Sequence, residues 1–464
     1  MQPSSPPDPA PARPTLLWLA APLMVSFTIR SLLTSVDLPY GSLLGDAAVA
    51  AIGLAFPLEF VFIACWVGLS SAMTSHLSRA MGARDEARLA QVVAATRRLV
   101  LLLVALFLLA ALGVYLVADR LGLDPAVAAG VRVYAPVILA GGAIIGFWSV
   151  IPDSLVKAHH DMRSTMIAGL LSGFLNLVLN TLFVFGFGWG LLGIAMATNL
   201  GRLGGLAYAL GRARALEDAR RRDWAAGPPP ADGAPLARPY RALLVLAVPS
   251  ALAWALMAAE GLVVNGVLSR FADATAGIAA YAIFHRASLL LLMPVVAIGV
   301  AVVPFVARAG AEGHLDEVRQ GLRQAFGFAA VYALALAPVC WLAGGPLGRA
   351  LGDAPETQRL AALAVTWATP LFVLASAPFV LCRPAFEGLQ RGGPGLVMAV
   401  VRYGLLSAPL CLAGALLAQR LGRAPLEGLL LGLVAATALA SAVFAAWLRR
   451  ALGVSAARSS ARSP

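Results

Sequence analysis

Long apolar runs, separated by short polar clusters, recur along the whole chain. A helix needs about 20 mostly apolar residues to cross some 30 Å of hydrocarbon, and the runs have that length. The pattern predicts twelve spans, at residues 15–40, 47–76, 95–118, 129–156, 164–187, 189–211, 242–269, 277–307, 321–346, 361–389, 395–419 and 426–448. Between the sixth and seventh lies "RARALEDARRRDWAAGPPPADGAPLARPYR", rich in Arg, Pro and Gly, which cannot span a bilayer and reads as a solvated linker. The chain therefore divides into a Pro-rich tail (1–14), six helices (15–211), a linker (212–241), six more helices (242–448) and a second tail (449–464). The first apolar run is too long, and lacks the small-residue cleavage pattern, for a removable signal peptide.

Composition agrees. Hydrophobic residues make up 60% and charged residues 12%, with mean hydropathy +0.83; ordinary soluble domains are roughly 25% charged. The fold class is all-α and membrane-integral. A net charge of +12 would suit nucleic acid if gathered on one face, but here arginines are sorted by loop. The 2–3, 4–5, 8–9 and 10–11 loops, the linker and the C-terminal tail are the basic set, so both termini are expected in the cytoplasm of a plasma (inner) membrane protein, without nucleic acid as a partner. Cys65, Cys340, Cys382 and Cys411 fall in apolar spans without paired spacing, indicating neither disulfides nor zinc.

The halves echo each other. "GDAAVAAIGLAF" leads through the second span to "SRAMGARDEARLAQ", and "ADATAGIAAYAIF" leads through the eighth to "ARAGAEGHLDEVRQ". Six spans per half is an even number, so the two bundles share one orientation and are related by an axis along the membrane normal. Two facing bundles leave a central cleft.

These stretches, with "LGDAAVAAIGLAFPLEF", "AHHDMRSTMIAGLLSGFLNLVLN" and "GLLGIAMATNLGR", resemble the multidrug and toxic compound extrusion (MATE) transporters over nearly the whole chain. The resemblance implies a two-lobed exporter that alternates between inward and outward openings. It further implies efflux of amphipathic, cationic small molecules, by a monomer in the bilayer, in exchange for H+ or Na+. A lipid-linked oligosaccharide flippase or polysaccharide exporter of the same superfamily is the alternative. It wants a basic cleft, for which Arg30, Arg286 and Arg383 are available.

Charged residues inside apolar runs nominate the site, because a charge at the bilayer centre costs roughly 2.5–3.5 kcal/mol and must face water or a partner. Asp37 in the first span can bind a cation or a proton, or pair with Arg30, seven residues back; the resemblance matches it to the family's helix 1 coupling carboxylate. Asn176 and Asn180, at i, i+4, can offer amide oxygens to Na+ together with Asp37, or hydrogen-bond between helices. The resemblance expects an Asp at the second position, so this lobe lacks one negative charge.

Glu260 in the seventh span is a second-lobe cation or proton site, or half of an ion pair with His285 or Arg286. Glu59 lines the cleft or pairs with Arg30 or Arg286. Arg383 and Glu387, four apart in "RPAFEGLQRGG", read as a self-satisfied pair near the cytoplasmic end. Arg202 and Arg402 are expected to snorkel to that surface. "KAHHDMR" places His159, His160 and Asp161 side by side, where neighbours diverge instead of converging on one metal. Phe56, Phe60, Trp66, Trp148, Trp254, Met257, Tyr281 and Met293 would suit flat lipophilic cations. No P-loop, GxSxG, HExxH or CxxC occurs, so no catalytic residue and no cofactor beyond the coupling ion is expected.

Overall fold

The computed structural model describes residues 15–33, 40–41, 43–120, 123–226, 236–271, 274–352 and 354–460, leaving out the side chains of residues 30, 32, 33, 46 and 454–460. Asp37 is outside the described residues, as is the side chain of Arg30.

Twelve helical rods are described: α1 (Leu16–Leu33), α2 (Asp46–Gly82), α3 (Glu86–Val117), α4 (Pro125–Ala158), α5 (Met162–Gly186), α6 (Gly190–Ala226), α7 (Pro239–Leu268), α8 (Ala274–Ala311), α9 (Leu315–Leu351), α10 (Pro355–Gly388), α11 (Gly393–Arg420) and α12 (Pro425–Ser460). By length and hydropathy, ten are candidate spans; α1 is apolar but shorter. In α6 the polar Asn199 and Arg202 and the charged residues beyond Arg212 dilute the apolar stretch.

The helix of α6 continues fifteen residues into the expected linker. Arg220 explains this: it is buried, pairs with Glu217 one turn back at 2.9 Å and with Glu86 of α3 at 2.5 Å, and lies over Trp224 at 4.3 Å. Pairs at i, i+3 stabilise a helix in water as well as in the membrane. Likewise α12 continues through the C-terminal tail to Ser460.

The repeat is visible in the backbone. A π-helical turn interrupts α4 at Gly142–Gly146 and its counterpart α10 at Ala364–Ala368. Another interrupts α5 at Leu182–Gly186 and its counterpart α11 at Val400–Leu406. Such turns free carbonyls, and local hydroxyls take them up: Ser149 Oγ donates to Gly146 O at 2.7 Å and Ser407 Oγ to Arg402 O at 2.9 Å. Close backbone crossings also recur. A Cβ on Gly201 of α6 would stand 2.7 Å from Ser172 O of α5, and one on Gly428 of α12 would stand 1.9 Å from Gly414 O of α11.

At one end of the molecule, here the linker end, helices are joined by tight left-handed turns at Arg84, His160 and Gln390 (φ 53, 61 and 60°) and at Gly313 (φ 82°). At this end the lobes share their cores. Leu16, Leu19, Ala20 and Leu23 of α1 are buried with Val295, Ile298 and Val302 of α8, and Leu243, Leu246 and Ala247 of α7 are buried with Leu69, Met73 and Leu77 of α2. At the far end, the core around Val264, Tyr281, Phe284, Cys411 and Leu429 draws its described members from the second lobe alone. The lobes are thus closed against each other at the linker end.

Candidate functional site

Four of the ion pairs between described residues, two in each lobe, bear on the site. In the second lobe Glu260 of α7 is 8% exposed. It accepts from Ser407 Oγ at 2.5 Å, and Arg402 Nη2 stands 4.0 Å from its other carboxylate oxygen. The α11 π-turn brings Arg402 inward, and the aromatic rings of Phe379 (4.8 Å), Tyr403 (4.7 Å) and Phe372 (5.7 Å) hold its guanidinium. Arg402 is 3% exposed, so it does not reach the surface as expected. A buried carboxylate beside a cation costs less than one buried alone.

The hydroxyl of Ser407 carries one proton but faces two acceptors, Glu260 Oε1 and Arg402 O. If Glu260 is ionised, Ser407 must choose. If Glu260 carries a proton, it donates to Ser407 and Ser407 donates to Arg402 O, while Arg402, whose Nε is buried without a hydrogen-bond partner, is left to its aromatic walls.

In the first lobe Glu59 of α2 pairs with Arg202 of α6 at 2.6 Å, each about one-fifth exposed. Arg202 lies 5.4 Å from the Phe62 ring. This partner is neither Arg30 nor Arg286, and it too replaces the expected snorkelling. Asn176 Nδ2 donates to Thr198 Oγ1 of α6 at 3.0 Å, the interhelical bond that was one of its two expected roles. Asn180 is fully buried one turn further along α5.

Nearer the linker end, Arg383 and Glu387 pair at 3.4 Å, as their spacing predicts, and Arg383 lies over Trp254 at 5.2 Å. Glu387 also reaches across the lobes. Ser71 Oγ of α2 donates to its carboxylate, and Ser75 Oγ donates to its carbonyl at 2.7 Å. His76 beside them donates from Nε2 to Ala242 O at 3.2 Å and accepts on Nδ1 from Gln390 at 2.9 Å. Asp153 and Lys157 of α4 form a matching i, i+4 pair at 2.5 Å that sequence reading passed over, although its spacing is that of Arg383 and Glu387.

The "KAHHDMR" side chains diverge. His159 pairs with Glu217 at 2.7 Å, Asp161 caps α5 through Ser164 and binds Arg212 at 2.6 Å, and His160 faces Arg308 of the other lobe. His160 Nε2 is buried without a hydrogen-bond partner, beside an interlobe cavity of about 290 Å³ that Arg308, Glu312 and Glu317 help to line. Burial, and next the Arg308 charge, push its imidazole down to about 4.

Twelve rods in two repeated six-helix lobes, joined at one end, define a multi-pass membrane transporter fold. The MatE family model matches residues 22–182 and 249–413, one segment in each lobe, and the chain belongs to that family. Its members are transporters and not enzymes. A probable multidrug resistance protein NorM of Rhizobium meliloti (strain 1021) is 33% identical over 114 residues, which are 24% of this chain and 23% of that protein.

Solved structures cover far more. An outward-facing multidrug resistance MATE family transporter of the MOP superfamily superposes with TM-score 0.83 at 21% identity, over 95% of this chain and 97% of the other. A MOP superfamily transporter from Pyrococcus furiosus, described as having a binding pocket of reverse polarity, gives TM-score 0.81 at 21% identity with the same coverage. At this identity the likeness speaks for the fold.

Proposed function

We propose that this chain is a secondary active exporter that expels amphipathic, cationic small molecules in exchange for protons by alternating access. The observation that carries this reading is the buried Glu260, Ser407 and Arg402 cluster, in which the Ser407 hydroxyl can bridge a protonated Glu260 to Arg402 O and Arg402 can pair with an ionised one. A carboxylate with two tolerated states can trade a proton for a cationic substrate, and that mutual exclusion is the thermodynamic basis of antiport. An inward proton gains roughly 2.3 kcal/mol per 100 mV, before any concentration gradient is added.

Asp37 is the proposed second coupling carboxylate, and Asn176 and Asn180 the proposed amide-oxygen ligands of a cation. Glu59 and Arg202 would contact substrate, being partly exposed and charge-balanced. Both termini would face the cytoplasm, which makes the closed linker end the cytoplasmic gate. The oligosaccharide flippase alternative wants uncompensated cations; of the arginines named for it, Arg383 meets Glu387, and Arg286 is exposed with no ion pair among the described residues.

The test is ethidium efflux from everted vesicles under separately imposed proton and sodium gradients. Efflux that collapses with the proton gradient supports the reading. Efflux that follows sodium alone removes the proton from it, and lack of efflux under either gradient removes the exporter.

A further inference from the structure

The gate ladders of the two lobes have the same spacing and opposite polarity. On α4 it reads Asp153, Lys157 and the left-handed His160; on α10 it reads Arg383, Glu387 and the left-handed Gln390. In the first lobe the carboxylate occupies the deeper position. There Ser70 of the same lobe donates to Asp153 at 3.3 Å and Lys157 lies over Trp66 at 5.4 Å, so the described contacts of this pair stay at home. In the second lobe the carboxylate sits one turn closer to the linker end, against the hydroxyls of α2. Reversed polarity therefore puts a carboxylate at only one of the two symmetry-related positions next to the gate.

We propose that Glu387 is the latch of the linker-end gate, and that the lobes part there only when Ser71 and Ser75 leave it. The latch is reversible because Arg383 and Trp254 belong to the same lobe as Glu387 and stay with it on opening. What breaks is two hydroxyl hydrogen bonds, not an ion pair, so opening leaves no bare charge behind. Glu387 is in this sense a positioning residue: it sets the balance between the two openings without touching cargo. The latch rests on the alternating-access reading above.

Spin labels at Arg97→Cys and Asp316→Cys, one on each lobe at the linker end, report that balance in the full-length protein in nanodiscs, with the four native cysteines replaced. Glu387→Gln and Ser71→Ala should each raise the ratio of long to short distances about tenfold, as for loss of a hydrogen bond to a charged group. The double variant should add little to either, because both remove one bond. Arg383→Lys, which keeps the Glu387 charge compensated, should stay close to the wild type.

A wild type that samples both distances while the variants leave the ratio unchanged, or shift it additively, overturns the latch alone. A lowered melting temperature at an unchanged ratio also overturns it, since that is what a merely structural role gives. One distance in the wild type and every variant, at all pH values and with cargo present, overturns alternating access together with the latch.

Discussion

The two lobes share a backbone plan but treat buried charge differently. The polar cluster between α5 and α6 offers neutral groups, Asn176 on Thr198 and the buried Asn180. In the second lobe α11, the counterpart of α5, turns Arg402 and Ser407 toward Glu260 of α7, and Arg402 is walled by three aromatic rings. Neutral amides can bind a cation but have no proton to exchange. The cluster of the second lobe holds a buried carboxylate, and under the proposed function that lobe carries proton coupling, with Asp37 as the second proposed carboxylate in the first lobe.

Removing the switch should break this comparison most visibly. Glu260→Gln is expected to lower proton-driven efflux about a hundredfold in vesicles at unchanged protein level, and Asn176→Ala at most about tenfold, the weight of one or two hydrogen bonds. Equal losses would erase the distinction between the lobes. Next comes stability. Arg402→Ala leaves Glu260 buried beside no cation and should cost about 3–5 kcal/mol, whereas Arg202→Ala exposes a partly hydrated Glu59 and should cost about 1 kcal/mol; thermal unfolding in detergent would rank them.

Ser407→Ala keeps the ion pair but removes the acceptor of a protonated Glu260. Efflux should fall about tenfold, the weight of a hydrogen bond to a charged group.

The smallest effect belongs to the gate turn. Buried His160 is neutral down to about pH 4, while an exposed imidazole takes its proton near 6.5. The open form then binds more protons between these values, so closure is favoured above about pH 6.5 and weakens as pH falls toward 4. The distance ratio at the linker end should rise on acidification from pH 7.5 to 5, and His160→Gln should flatten that response.

Most of the helices were legible because hydrocarbon demands long apolar runs, and the i, i+4 pair of Arg383 and Glu387 was legible because both residues sit on one helix. Partners on different helices were not. As ion pairs, one of two readings for each, Glu260 was matched to His285 or Arg286 and Glu59 to Arg30 or Arg286; the described partners are Arg402 and Arg202. Both arginines were assigned to the surface from their distance to helix ends, which ignores the π-turn of α11 and the aromatic rings that make an interior guanidinium tolerable. The helical extension of α6 was hidden for a related reason: a string of arginines reads as linker until Glu86, Glu217 and Trp224 are seen around Arg220. Asp37, nominated as a charge inside the first apolar run, lies outside the described residues.

The most direct test needs no gradient. When ethidium is added to the purified protein in weakly buffered detergent at pH 6.5, a pH-indicating dye should report protons released as cargo binds, and Glu260→Gln should abolish most of that release while still binding ethidium. Undiminished proton release from Glu260→Gln would contradict the account.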